Sequence, residues 1–106
     1  MKHLVLLLCA ATLAACQETP PDTPADQGAA PAPANDNLRL VRGYRSDDDW
    51  CQLTGETTFT VNYLDDAADL VSCPTGSDAA QSLVDMYGAI EVTDTGGYTV
   101  YTVPRR

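Results

Sequence analysis

Four cysteines, Cys9, Cys16, Cys51 and Cys73, carry most of the capacity for covalent chemistry in this 106-residue chain. A thiol's fate depends on its surroundings and on the redox state of its compartment. Cys9 lies inside an apolar run from Leu4 to Ala15, which only Thr12 interrupts with a clearly polar group. Cys16 ends that run, in Leu13-Ala14-Ala15-Cys16, and Gln17-Glu18 follow at once. Cys51 and Cys73 lie far downstream, and no Cys-x-x-Cys spacing occurs. The single histidine is His3, so a Cys/His zinc site lacks ligands and imidazole acid–base chemistry lacks its base. Ser46, Ser72, Ser77 and Ser82 have neither a histidine nor a lysine base in the chain that follows the apolar run. Carboxylates cluster at Asp47-Asp48-Asp49 and at Asp65-Asp66 with Asp69, and Asp94 stands alone. A calcium loop needs about six to eight oxygen ligands at defined spacing, which these clusters lack. Nothing selects a carboxylate pair for glycoside hydrolysis. The expectation is a non-catalytic protein with no cofactor and no metal site.

The amino terminus explains Cys16. Met1-Lys2-His3 is basic and the apolar run behind it spans residues 4–15. A membrane-spanning helix takes about 20 apolar residues, whereas the core of an export signal takes about 7–15. Residues 1–15 therefore read as a signal peptide. Leu13-Ala14-Ala15-Cys16 resembles the lipobox of bacterial lipoprotein precursors. That resemblance implies a diacylglycerol-modified Cys16 thiol, cleavage before Cys16, and acylation of the new amine with palmitate-type chains. One acyl chain binds a membrane marginally, and several anchor it stably. The implied partner of Cys16 is membrane lipid. Gln17, where an Asp would favour inner-membrane retention, implies the outer membrane, facing the periplasm. The chain as a whole resembles small Gram-negative envelope lipoproteins, whose tethered domains serve envelope complexes.

Residues 16–37 read as a lipidated terminus and a disordered tether. The stretch ETPPDTPADQGAAPAPANDN is rich in Pro, Ala and Asp and has no aromatic or β-branched aliphatic residue. Such a segment buries too little apolar surface to offset its ordering entropy. Its five prolines favour extended conformations. The formal net charge is −9, and removal of residues 1–15 takes away Lys2 and makes it about −10. That balance excludes a nucleic-acid binder, which draws its non-specific affinity from cations. It also opposes docking on anionic lipid and suits a cationic partner or simple solubility.

Residues 38–106 remain for one small globular domain. A domain of this size has a marginal core and often needs a covalent staple. With Cys9 cleaved away and Cys16 lipidated, Cys51 and Cys73 form an even pair in an oxidising compartment, so a disulfide is expected. Thr57 to Tyr63 alternates, with Phe59, Val61 and Tyr63 on one side, and predicts a half-buried strand. Leu64 to Ala67 reads as a turn and Ala68 to Cys73 as a second, antiparallel strand. Ala79, Ala80, Leu83, Val84 and Tyr87 recur at helical spacing, with Gly88 as C-cap and Thr75 or Ser77 as N-cap. Gly96-Gly97 predicts a two-residue hairpin turn. That register pairs Thr95 with Tyr98, Thr93 with Val100, Val92 with Tyr101 and Ile90 with Val103. It leaves one apolar face and one mostly polar face. Leu38 to Arg45 alternates in part and suits a short edge strand or a lead-in. The fold class is α+β: strand-strand-helix-strand-strand, one helix packed on an antiparallel sheet.

Candidate interaction residues are Arg39, Arg42 and Arg45, the one cationic cluster inside an acidic domain, and Trp50 beside Cys51. The arginines suit internal pairing with Asp47 to Asp49, or an acidic partner. A tryptophan next to a disulfide suits the core first and an interface second. The main expectation is a structural or interaction role with an unidentified envelope protein. Trp50-Cys51-Gln52-Leu53-Thr54-Gly55-Glu56, with Val61-Asn62-Tyr63, Asp66-Ala67 and Leu70, also bears a slight resemblance to periplasmic lysozyme-inhibitor lipoproteins. It implies a small β-barrel that captures a cationic wall hydrolase. The chain departs from that pattern in its helix, in its early second cysteine and in having no matching inhibitory loop.

Overall fold

The computed structural model describes residues 28–105. The segment expected to be a signal peptide, Cys16 and the part of the expected tether up to residue 27 lie outside the described residues. Within them the elements are β1 (Arg39–Gly43), β2 (Gln52–Gly55), β3 (Ala68–Pro74), α1 (Asp78–Tyr87), β4 (Ile90–Thr95) and β5 (Tyr98–Pro104). The strands form one open antiparallel sheet in the order β1-β2-β3-β5-β4. This is the α+β, disulfide-stapled architecture the sequence predicts. Among the described residues the sheet does not close into the barrel implied by the lysozyme-inhibitor resemblance, because β1 and β4 remain as edges.

β3 is the spine of the sheet. Leu70 through Pro74 are all buried, since β2 and β5 flank the strand and both of its faces are covered. Val71 and Cys73 join Cys51, Tyr101 and Val103 beneath Ala80 and Leu83 of α1. Leu70 faces the other way, into a second cluster with Leu38, Tyr98 and Val100. The expectation of one polar sheet face is therefore corrected: Val100 and Tyr98 sit under Leu38, Phe59 and Tyr63 on the face opposite the helix. A thin sheet with two covered faces gives a chain of this size two small cores in place of one. Its one buried hydroxyl pair across β2 and β3, Thr54 with Ser72, is mutually hydrogen bonded at 2.8 Å.

The strand predicted over 57–63 is not one. The segment forms turns ending in a 3₁₀ turn at Val61–Tyr63. Thr57 Oγ1 accepts from the Phe59 and Thr60 amides, and Thr60 Oγ1 accepts from the Thr57 amide at 2.7 Å. Threonine hydroxyls offer the backbone these local partners in place of a ladder. Phe59 and Tyr63 still share a face, but at four-residue spacing, with ring centroids 6.1 Å apart. Val61 points outward, 45% exposed. The strand that precedes β3 and pairs with it is β2, which begins directly after Cys51.

Ser77, rather than Thr75, caps α1: its Oγ accepts from the Ala80 amide at 3.1 Å. The Thr75 hydroxyl instead bonds Thr99 at 2.8 Å. Gly88 is the C-cap, its amide bonded to the Val84 carbonyl. At the hairpin, Gly96 and Gly97 have φ of 61° and 87°, a conformation that side chains resist. The predicted pairs Thr95–Tyr98 and Thr93–Val100 form. Beyond them a bulge at Val92 shifts the register, so Glu91 pairs with Tyr101 and Ile90 with Thr102. The bulge turns Val92 into the second core cluster and leaves Ile90 61% exposed.

Residues 28–37 belong to the stretch expected to be a tether, and in the structure they make specific contacts with the domain. Residues 28–37 run along the hairpin and the second sheet face as a strap. The Ala34 amide donates to the Gly96 carbonyl at 3.0 Å, and Asn35 and Asn37 both donate to Thr95 Oγ1. Asparagine side chains supply the partners that an Ala/Pro stretch lacks.

Candidate interaction site

The candidate site is assembled by the loop between β1 and β2, residues 44–51. Gly43 starts it because only glycine fits there: a Cβ would stand 2.0 Å from the Ser46 carbonyl oxygen. The Tyr44 amide donates to the Cys51 carbonyl at 2.8 Å and closes the loop. Its far end is held by the Cys51–Cys73 disulfide, whose cysteines are both fully buried. Gln52 pairs with Ser72, so the two half-cystines are the next cross-strand positions.

Within the loop the three consecutive aspartates divide their roles. Asp49 turns inward, with 5% of its side chain exposed. Its Oδ2 accepts from Arg45 Nε at 2.7 Å and from the Arg45 amide at 2.9 Å. Its Oδ1 accepts from Arg45 Nη2 at 2.9 Å and from the Cys51 amide at 3.0 Å. Burial alone would raise the Asp49 pKa, but the donors from Arg45 and Cys51 and the Arg45 charge outweigh it, and the net shift is downward. Arg45 also donates to Ser82 Oγ and to the Ala79 carbonyl, and its guanidinium lies 5.7 Å from the Tyr87 ring centroid. One arginine thereby locks the loop to α1. Asp47 and Asp48 stay exposed.

The sequence-predicted arginine cluster is thus not one surface. Arg45 is used internally, in the pairing expected with the aspartate run. Arg39 and Arg42 are exposed on β1. The Arg39 guanidinium lies across Gly55, and Arg42 Nη1 donates to the Gly43 carbonyl. Trp50 is half-buried, and its indole Nε1–H donates to the Gly28 carbonyl at 2.9 Å. It packs at the wall of a groove of ≈ 550 Å³ between the aspartate loop and the strap, with Leu40, Gln52 and Tyr98 also lining it.

Sequence reasoning missed two groups. Tyr44 donates from its hydroxyl to Asp69 at 2.7 Å, and Arg105 pairs with the same carboxylate at 2.9 Å. Arg105 also donates to the Asp66 and Ala68 carbonyls, so it fastens the chain's last described residue to the start of β3. Burial, the Asp69 hydrogen bond and the Asp69 charge push the Tyr44 hydroxyl up to about 12. No spacing rule links residues 44, 69 and 105. The second missed element is the strap with Tyr98 beneath it, whose only sequence signal is the change from Pro/Ala to Asn-rich composition at residues 35–37.

Among the described residues no group of three or more His, Cys, Asp or Glu is arranged to hold a metal ion. The fold and site define a small disulfide-stapled α+β domain with an aromatic and acidic groove. No family model, curated protein or solved structure matches the chain.

Proposed function

We propose that this chain is a membrane-anchored envelope lipoprotein whose domain acts by binding, without catalysis. Cys16 carries the lipid anchor, the outer membrane holds it, and the domain faces the periplasm. The observation that carries this reading is the Cys51–Cys73 bond, closed and buried at the centre of the larger core cluster. A structural disulfide of this kind belongs to chains that mature outside the reducing cytoplasm. Leu13-Ala14-Ala15-Cys16 supplies a route there and an attachment at the end of it.

The binding surface is the Trp50 groove with the exposed Asp47 and Asp48 at its border. Arg39 and Arg42 offer a separate cationic edge on β1. The partner is an envelope protein. In-cell crosslinking of the tagged full-length lipoprotein tests this. The expected result is one dominant envelope protein near stoichiometric recovery, lost in Trp50→Ala and in Asp47→Lys/Asp48→Lys. Equal recovery from those variants contradicts the assignment of the surface.

The exposed Asp47 and Asp48 and the net charge of −9 favour a second reading, inhibition of a cationic wall hydrolase such as lysozyme. Titration of the oxidised protein against lysozyme decides it. Inhibition that Asp47→Asn/Asp48→Asn abolishes supports this reading, and an unchanged hydrolase rate rejects it.

A further inference from the structure

The strap over the groove is held in an unusual way for an Ala/Pro segment. Two of its backbone carbonyls accept hydrogen bonds from aromatic side chains. Trp50 Nε1–H donates to the Gly28 carbonyl, and the Tyr98 hydroxyl donates to the Pro31 carbonyl. The two carbonyls are three residues apart. Burial along the strap has the same period: Ala30 and Pro33 are half-buried, while Gly28, Ala29, Pro31 and Ala32 are exposed. Gly28 lies in a bend with φ of 78°, so only the bend-free residues 30–33, whose half-buried members are three apart, match the period of a polyproline II helix, which makes no internal hydrogen bonds and leaves its carbonyls free for a partner. Grooves that recognise proline-rich segments are lined by aromatic rings and exploit that pre-extended backbone.

From this arrangement we propose that Trp50 and Tyr98 form a binding site for an extended, proline-bearing peptide, occupied in cis by this chain's own residues 28–33. The donors read backbone carbonyls three residues apart, and Leu40 lines the groove beside them. Specificity is therefore for a peptide with small or proline side chains at every third position. A partner segment of that chemistry competes with the strap for the same two donors, Trp50 and Tyr98. The proposal does not depend on lipidation of Cys16 and stands or falls separately from it.

The resident segment sets the threshold for competition. A tethered ligand acts at an effective concentration on the order of millimolar. A peptide in trans at lower concentration leaves the wild-type strap seated. Replacing Pro31 and Pro33 by glycine loosens the strap, because glycine gives the unbound backbone far more conformations to lose.

The chain has a single tryptophan, so its indole N–H gives one resonance in a ¹⁵N correlation spectrum and reports this contact alone. The probe is a synthetic peptide of sequence QGAAPAPANDN, titrated into the soluble chain from residue 16 onward with Cys16→Ser. In the Pro31→Gly/Pro33→Gly chain the indole resonance is expected to leave its wild-type position, and the peptide is expected to return it there with saturation. A peptide carrying the same two glycines should need roughly tenfold more. The wild-type chain should not respond at the concentration that saturates the variant. If the variant's indole resonance does not move on substitution, or does not respond to peptide while the hairpin amides keep their folded positions, the proposal is overturned. Should the variant not fold, the unsubstituted chain decides. Nuclear Overhauser contacts from the Trp50 indole N–H to residues 28–30 support the site, and their absence overturns it.

Discussion

Replacing Asp49 by alanine removes one carboxylate that accepts four hydrogen bonds from two residues. Only 5% of that side chain is exposed, and Arg45 retains 20% exposure. Breaking a fully buried ion pair by deleting one partner costs about 3–5 kcal/mol, because the remaining charge stays buried. The partial exposure of Arg45 reduces that penalty, and the loss of the Cys51 amide acceptor adds about 1 kcal/mol. The expected loss is about 2–4 kcal/mol. At about 0.05–0.15 kcal/mol per residue a domain of this size holds roughly 4–12 kcal/mol in all, so the effect is a large share. Asp47→Ala and Asp48→Ala, two and one positions away on exposed carboxylates, should stay within about 0.5 kcal/mol. Urea unfolding of the oxidised protein measures all three, and an Asp49/Arg45 double-mutant cycle should give a coupling of about 2 kcal/mol. Equal losses at Asp48 and Asp49 would refute the division of roles within the aspartate run. Because the Asp49 pKa is depressed by folding, its contribution is complete above the unfolded carboxylate range and fades as pH falls below it.

Further outcomes follow from the same contacts. The disulfide spans 22 residues, and reduction or a Cys51→Ser/Cys73→Ser pair should cost about 3 kcal/mol in the chain-entropy picture, read as a lower urea midpoint. Gly43→Ala should prevent the 44–51 loop from closing, since the new methyl meets the Ser46 backbone at 2.0 Å; loss of the Tyr44 and Cys51 amide protection in hydrogen exchange checks it. Tyr44 titrates near 12 against an ordinary 10.0, so its neutral form stabilises the fold fully below pH 10.0, and that stabilisation disappears between 10.0 and about 12. Asp69→Ala should bring the Tyr44 titration back toward 10.0, visible as a difference in phenolate absorbance against a Tyr44→Phe control; an unmoved titration would contradict the role given to Asp69.

How much of this was legible in the sequence depended on which interactions were local. The helix, its Gly88 cap, the Gly96-Gly97 turn and the β3 strand follow from spacing or from turn chemistry, which short windows contain, and the Cys51–Cys73 bond follows from the count of cysteines left once Cys9 and Cys16 are set aside. Thr57 to Tyr63 misled because Phe59 and Tyr63 satisfy both a period of two and a four-residue repeat. The deciding groups were the Thr57 and Thr60 hydroxyls, which offer the backbone a closer partner than any strand. The bulge at Val92 was hidden because it answers a need created elsewhere, the second core under Leu38 and Phe59. The strap's docking depends on Tyr98 and Trp50, which lie 67 and 22 residues from their carbonyl partners. Of the candidate site, the pairing of Arg45 with the aspartate run was readable, whereas Trp50, expected in the core first, belongs to neither core cluster and stands at the groove wall. Which aspartate makes that pair was not, since three identical neighbours differ only in where the loop turns them.

The central claim is that Cys16 anchors this domain to a membrane. Intact mass spectrometry of the protein extracted from the membrane fraction of an expressing bacterium tests it most directly. The expected product is a chain that begins at Cys16, carries a diacylglyceryl group and an amide-linked acyl chain, and is two hydrogens lighter than its reduced form because Cys51 and Cys73 are joined. A chain that retains Met1, or one cleaved and released to the soluble fraction without lipid, would contradict it.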